Sequence, residues 1–375
     1  MDNYIVANSR IIQRNQILKN KFIIVENGKI VAISENCDAW PSFPIIDGNN
    51  HYCAPALIEM HIHGCSTLGF EIPEGGILEK AAFFLAQQGV NTFVPTLQCD
   101  EATIARLANE LESDRALQQK IPGLYIEGPF ISTVKKGGIQ VKHIRKPDTD
   151  YLQKLVDLSK GYIRLMTLAP ELDSSKSVFH ALSEYGIIPC FGHSNAELKD
   201  SLAFNPDSTV SMTHLFNGMS PVSHHTAGLA MLPFINRDIF FELNADCIHL
   251  NRESIAMSYN NCNHERLLLI SDAVISAGLK RGEYTYYDKP VISGDRGVRY
   301  KDNDVLIGSN CLVREVVKRL IETTGATLHE AIAFATFNPA KLLGIDDRKG
   351  SIDIGKEADL IFLDDELEVV RNLTA

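Results

Sequence analysis

Met60-His61-Ile62-His63-Gly64, entered through the apolar run Ala54-Pro55-Ala56-Leu57-Ile58, is the stretch on which the reading of the fold turns. Successive side chains of an extended strand alternate between its faces, so His61 and His63, at i and i+2, emerge on the same side. Two imidazoles delivered together at the end of an apolar strand suit a single metal ion. A solitary His-x-His is more often a pair of core or surface histidines. The residues before this one read as a buried strand, and further single histidines end later apolar runs, which turns the balance towards a metal site.

Outward from that stretch, apolar runs alternate with helical segments, the signature of βα units. Strands are expected over Leu57–His63, Thr92–Pro95, Gly123–Glu127, Tyr162–Ala169, Ile187–His193, Thr209–His214, Ile239–Ala245 and Leu267–Asp272, with helices such as Ile77–Gln88, Glu101–Glu112 and Ser175–Tyr185 between them. Eight such strands imply an α/β fold built on a (β/α)8 TIM-like barrel, assigned here to residues 53–340. Residues 1–52 read instead as short strands: Tyr4–Ala7, Lys21–Val25 and Ile30–Ile33, the last two joined by an Asn27-Gly28 hairpin turn. Ala358–Leu363 and Glu368–Val370 supply similar material at the other end. Neither end is long enough to build its own core, so residues 1–52 and 341–375 are expected to join in one small β-sandwich domain.

A barrel of this kind carries its chemistry at the C-terminal ends of its strands. Here those ends hold His61 and His63, then Glu127, His193, His214 and Asp272. Any one of them alone is more often a capping or solvated group. Together they form a nitrogen and oxygen donor set suited to a divalent transition metal. Such an ion acidifies water and polarises a carbonyl, and a carboxylate beside it can shuttle the proton, so the set points to a metal-dependent hydrolase with Asp272 as acid/base.

Composition excludes other classes. A net charge of −11 argues against a nucleic-acid or anionic-membrane surface, both of which need a basic footprint. The eight cysteines lack Cys-x-x-Cys spacing, so they suggest neither a zinc finger nor a disulfide framework and suit a reducing cytosol. Cys65, Cys190 and Cys247 read as packing residues. No apolar run approaches the ~20 residues of a membrane span, and the first residues lack the features of a secretory leader. A cytoplasmic protein with a small-molecule substrate is expected.

Several segments carry a resemblance: Ile126-Glu127-Gly128-Pro129-Phe130, Thr167-Leu168-Ala169-Pro170-Glu171, Gly192-His193-Ser194-Asn195-Ala196, Thr213-His214-Leu215-Phe216-Asn217-Gly218-Met219, Ser271-Asp272-Ala273, Gly308-Ser309 and Phe337-Asn338-Pro339-Ala340-Lys341. With the ending from Gly350 to Leu360 they run in order along nearly the whole chain. The chain resembles the amidohydrolase superfamily and, within it, the N-acetylglucosamine-6-phosphate deacetylases. The resemblance implies that Glu127, His193 and His214 hold a principal metal. It implies that His61 and His63 hold a second one bridged by Glu127, and that Asp272 is the general acid/base. One or two divalent ions per chain are implied, Zn²⁺ first and Fe, Co or Mn in its place. Asn217, Gly218 and His249 fall where the family contacts the sugar and its phosphate, and a homodimer is implied.

Two departures stand out. The family's carbonyl-polarising histidine falls about where Ile139 stands, which leaves the adjacent Gln140 as a neutral hydrogen-bond donor. The phosphate-binding arginine of His-His-Arg-Glu-Pro-Gly is absent from His224-His225-Thr226-Ala227-Gly228, leaving His225 as a substrate contact. Glu59 also stands where aspartate is usual, a minor variation. Three readings stay open: deacetylation of an amino sugar such as N-acetylglucosamine 6-phosphate, N-acetylgalactosamine 6-phosphate or an unphosphorylated relative; hydrolysis of another amide; and a metal-binding relative without turnover.

Overall fold

The centre of the chain is carried by β1 (Leu57–Ile62), β2 (Val90–Gln98), β3 (Leu124–Glu127), β4 (Ile163–Leu168), β5 (Ile188–Phe191), β6 (Ser211–Met212), β7 (Phe241–Leu243) and β8 (Leu267–Leu269), each lying on one of the eight runs read from the sequence. In the computed structural model, which describes residues 2–174, 176–204 and 209–373, β1 to β6 form one sheet in chain order with every neighbour parallel, a half-barrel. β7 and β8 form a separate parallel pair. Backbone hydrogen bonds extend the series at both junctions. Met212 N–H donates to Phe240 O (2.9 Å) and Leu215 N–H to Glu242 O (2.8 Å), while Asp272 N–H donates to His61 O (3.0 Å). Ile62 also meets Ala273 in an isolated parallel bridge.

Parallel strands covered on both faces are buried along their whole length, and β1, β2 and β3 have no exposed residue. Alternation still sorts their side chains. On β8, Leu267 and Leu269 enter the large core shared with the helices, whereas Leu268 joins a smaller cluster with Ile58, Met60, Val94, Tyr125 and Leu165. The helices form for local reasons. Ile77–Gln87 turns Leu78, Ala81, Ala82 and Leu85 to one buried side at helical spacing. Glu101–Ser113 is started by Asp100, whose carboxylate accepts the Thr103 N–H at 2.9 Å, and buries Ile104, Leu107, Ala108 and Leu111. The helix read over Ser175–Tyr185 runs over Ser177–Glu184; Ser175 lies outside the described residues, as do Thr374 and Ala375.

Both chain ends enter the same sheet, because Leu360–Leu363 pairs antiparallel with Tyr52–Pro55. A second sheet holds Tyr4–Ala7, Phe22–Glu26, Lys29–Ser34 and Ile45–Asp47. Its hairpin turns at Asn27 and Gly28, whose φ of 51° and 72° match the mirror-image turn that Asn-Gly favours. Val6, Ile23 and Val25 from this sheet share a cluster with Ile11, Cys53, Leu360 and Phe362 from the other.

One element has no counterpart in the sequence reading. β9 (Gly282–Tyr286), β10 (Lys289–Gly294), β11 (Gly297–Tyr300) and β12 (Leu306–Gly308) form a four-stranded antiparallel sheet in chain order. Tyr286, Val291, Val298 and Tyr300 pack there against Val274 and Ile275. No helix among the described residues is long and apolar enough to cross a membrane.

Candidate metal centre and cavity

His61 lies inside β1, His63 just past its end, and Glu127 closes β3. His193, His214 and Asp272 are reached differently. β5 and β6 stop two residues short of their histidines and β8 stops three short of Asp272. The three residues then adopt φ of 45°, 28° and 51°. Left-handed backbone costs a non-glycine residue on the order of 1–3 kcal/mol and collects at functional sites. It also ends these strands earlier than the expected Ile187–His193, Thr209–His214 and Leu267–Asp272.

All six side chains meet, and all are buried. His193 Nε2 and His214 Nε2 each stand 2.8 Å from Glu127 Oε1 and 3.1 Å from each other. On the other side, His61 Nε2 and His63 Nε2 are 3.3 Å apart, with His63 Nε2 3.6 Å from Glu127 Oε2. Asp272 Oδ1 lies 3.7 Å from His61 Nε2 and 3.5 Å from His63 Nε2. Two triads result, His61/His63/Glu127 and Glu127/His193/His214, each with its donor atoms within 4.8 Å of one another.

The outer nitrogens fix which way the lone pairs point. His193 Nδ1 donates to the Lys135 carbonyl (2.8 Å). A carbonyl can only accept, so the Nε2 lone pair faces Glu127 and His214. His61 Nδ1 donates to Glu242 Oε2 (2.8 Å), turning its own Nε2 lone pair inwards. The Nδ1 atoms of His63 and His214 are buried without a partner. Burial pushes His61 down to about 4 and His63 to about 3, and lowers His214 as well, so these rings are neutral donors. Burial would raise Glu127, but His193 and the other imidazoles around it overcome that and hold it well below the usual carboxylate range. Burial would likewise lower His193, and Glu127 outweighs it. Burial, then Glu127 and Asp246, push Asp272 well above its usual value. Facing imidazole lone pairs at 3.1–3.3 Å repel unless a cation or proton lies between them. The donor set therefore fits a divalent metal.

Above these residues is a cavity of about 170 Å³. His63, Glu127, His193, His214 and Asp272 form its floor, Asn217, Gly218 and His249 one side, and Tyr286, Tyr287 and Tyr300 of the antiparallel sheet another. Gly218 is there because nothing larger fits: its φ is 58°, and a Cβ would stand 2.9 Å from His193 Nδ1. His249 is set by Asp246, which accepts the Ile248 and His249 backbone N–H groups and the His249 Nδ1–H, all at 2.8 Å. Its Nε2 then stands 3.4 Å from Asp272 Oδ2.

Two expected contacts lie elsewhere. The Gln140 side chain faces a neighbouring chamber of about 400 Å³ with Glu71, Lys142 and His143, because its backbone N–H is tied to Gln98 Oε1 (2.9 Å). Ile139 and Gln98 line the metal cavity in its place. His225 is exposed, its ring centroid 3.8 Å from that of His224, and is absent from the cavity wall. No Lys or Arg is among the described residues of that wall. The sequence reading missed Gln98, Glu242, Asp246 and the three tyrosines. Glu242 did leave a signal, as a charged residue inside the apolar run Phe240-Phe241-Glu242-Leu243.

A model of the amidohydrolase family matches residues 52–374. The N-acetylglucosamine-6-phosphate deacetylase of Bos taurus is 31% identical over 84% of this chain and 80% of its own length. The N-acetylgalactosamine-6-phosphate deacetylase of Escherichia coli O157:H7 is 29% identical over 84% of each chain. Among solved structures, N-acetylglucosamine-6-phosphate deacetylase from Pasteurella multocida superposes with a TM-score of 0.91 at 25% identity, covering 99% of this chain and 98% of its own.

Proposed function

The chain belongs to the amidohydrolase family and, within it, to the N-acetylglucosamine-6-phosphate deacetylases, and from that premise we propose that it hydrolyses the N-acetyl amide of N-acetylglucosamine 6-phosphate to glucosamine 6-phosphate and acetate. The observation that carries this reading is the pair of His/His/Glu triads sharing Glu127 on the floor of a cavity that also presents Asp272. The β1–β8 series then closes as a (β/α)8 barrel over residues 53–340, beside a small β-sandwich domain of 1–52 and 341–375. The protein works in the cytoplasm as a homodimer.

His61, His63, Glu127, His193 and His214 would hold one or two divalent ions, Zn²⁺ foremost, with Asp272 at the edge of the set. When bound, the metal would supply Lewis acidity to the acetyl carbonyl and to water. The rest falls to the chain. Gly218 lets the sugar approach His193 closely, and Asn217 and His249 bind its ring and 6-substituent. Asp272 takes a proton from the attacking water as the water oxygen bonds to the acetyl carbon. As the C–N bond breaks, Asp272 returns that proton to the leaving nitrogen, so acetate and a free amine result. Tyr286, Tyr287 and Tyr300 exclude bulk water from this space.

The sugar and its phosphate are tested by kcat/KM for N-acetylglucosamine, N-acetylgalactosamine and their 6-phosphates at fixed ionic strength. N-acetylglucosamine 6-phosphate should be preferred over the galactosamine ester. Without an arginine or lysine in the wall, losing one charge-assisted pair costs about 1.5–3 kcal/mol, roughly ten- to a hundredfold in kcat/KM. Preference for the phosphate ester should therefore stay below about 10⁴-fold, or ~5.5 kcal/mol. A larger ratio would mean that another cation, such as one from a second subunit, holds the phosphate. Preference for the galactosamine ester would instead favour the activity printed for the Escherichia coli relative.

A further inference from the structure

We propose that Glu242 is a positioning residue that couples the two ligand triads, holding the ring of His61 and the backbone of His214 with a single carboxylate oxygen. It sits in the middle of β7 between Phe241 and Leu243 and has no exposed surface. A carboxylate in such a place is expensive unless it is fully bonded. Here its two shortest bonds fall on one oxygen. Oε2 accepts the Nδ1–H of His61 (2.8 Å) and the backbone N–H of His214 (2.9 Å), the Tyr125 hydroxyl also bonds the carboxyl, and burial pushes the group up to about 8. Oε2 touches both triads.

Its two bonds do different things. The bond to His61 keeps the ring proton on Nδ1, so the Nε2 lone pair points at His63 Nε2, Glu127 and Asp272. Carboxylates in this relation to a ligating histidine fix its tautomer and raise its basicity, and losing one typically weakens metal binding 10–100-fold. The bond to His214, together with that from Leu215 N–H to the Glu242 carbonyl (2.8 Å), secures the left-handed turn, φ 28°, that brings His214 Nε2 to Glu127. His61 belongs to one triad and His214 to the other, so the registration of the two triads passes through Glu242.

The inference rests on the metal reading, and its test separates the two. The protein is made with ¹⁵N-labelled histidine as wild type, Glu242→Gln, Glu242→Asp and Glu242→Leu. The His61 tautomer is read by NMR in metal-free protein, and Zn²⁺ affinity is measured by competition titration of the whole chain. Gln can offer its carbonyl oxygen to the same two donors, so Glu242→Gln should keep His61 in the Nδ1–H form and bind Zn²⁺ within about a factor of three of wild type. Asp keeps the charge but withdraws the oxygen by one methylene, so Glu242→Asp should lose the fixed tautomer and bind at least one Zn²⁺ 10–100-fold more weakly, as should Glu242→Leu if it folds. Charge alone would give the opposite order for Gln and Asp. Glu242→Asp that keeps both the tautomer and the affinity overturns the proposal, and so does Glu242→Gln that loses them. A wild type that takes up no Zn²⁺ overturns the metal reading instead, a result distinct from a wild type that binds Zn²⁺ no better than its Glu242 variants.

Discussion

The floor and the tyrosine wall of the cavity are built on opposite plans. The floor grows out of the core. Its histidines and carboxylates stand on or just beyond strands buried on both faces, and three of them occupy left-handed backbone that the surrounding packing holds in place. The wall is an added antiparallel sheet, open on one side, with Ile292 and Val305 exposed and a small core of its own. The two are joined close to the floor, since the wall packs on Val274 and Ile275, two and three residues after Asp272. The difference teaches that the residues proposed to carry the reaction are fixed by the body of the protein. Those that line the cavity from the added sheet hang from that body.

That division predicts how substitutions sort by kinetic constant. The largest effect belongs to the floor. Asp272→Asn keeps the shape and removes the base, so kcat should fall by roughly 10²–10⁴ while substrate binding survives. A variant retaining more than a tenth of wild-type kcat would move proton transfer to another group and break the comparison at its floor.

The wall should behave in the contrary manner. Tyr287→Phe removes one hydroxyl from the cavity and from its bond with Tyr286 (3.1 Å). A hydroxyl that bonds the sugar contributes about 0.5–1.5 kcal/mol to binding, so KM should rise roughly two- to tenfold with kcat within about threefold of wild type. Steady-state kinetics that show the loss in kcat instead would make the wall part of the catalytic machinery.

The smallest effect lies where the wall meets the neighbouring chamber. Burial pushes Glu71 up to about 8, although its Oε1 accepts the Gln98 N–H at 2.7 Å. The folded protein therefore holds this proton more tightly than the unfolded chain. The stability it contributes is full below pH 4.5, the ordinary value, and is lost as pH rises through about 8. Glu71→Gln removes that loss, so its Tm should exceed that of wild type at pH 8, by about 2–4 °C for each kcal/mol regained, and the gap should shrink towards pH 4.5. An equal gap at both pH values, by thermal unfolding, would remove Glu71 as its source.

The same contrast explains what was legible in the sequence. Strand ends of the core announce themselves through apolar runs that finish in His, Glu or Asp, which is how the eight runs and the six side chains that meet beyond them are legible. The exact ends are not, because left-handed turns at His193 and His214 break β5 and β6 early and leave no mark in residue type. The wall was missed for a physical reason. Its first hairpin turns at Tyr287 and Asp288, with φ of 49° and 59°, and carries no Asn-Gly or Asp-Gly signature. Adjacency in sequence points to Gln140, but the tie from its N–H to Gln98 accompanies an arrangement in which Ile139 lines the cavity and Gln140 lines the neighbouring chamber. His225 was placed by a motif whose loop in this chain lies at the surface.

The central claim is that the floor is a metal site that drives deacetylation, with Glu127 shared between two ions. It is tested most directly by stripping the protein with a chelator, adding Zn²⁺ back in steps, and measuring acetate release from N-acetylglucosamine 6-phosphate against metal bound per chain. Release should be lost on stripping and return with the metal, wild type should reach two ions per chain, and His61→Ala/His63→Ala should stop at one, held by His193 and His214. Undiminished acetate release from protein stripped to less than about a tenth of an ion per chain would contradict the account.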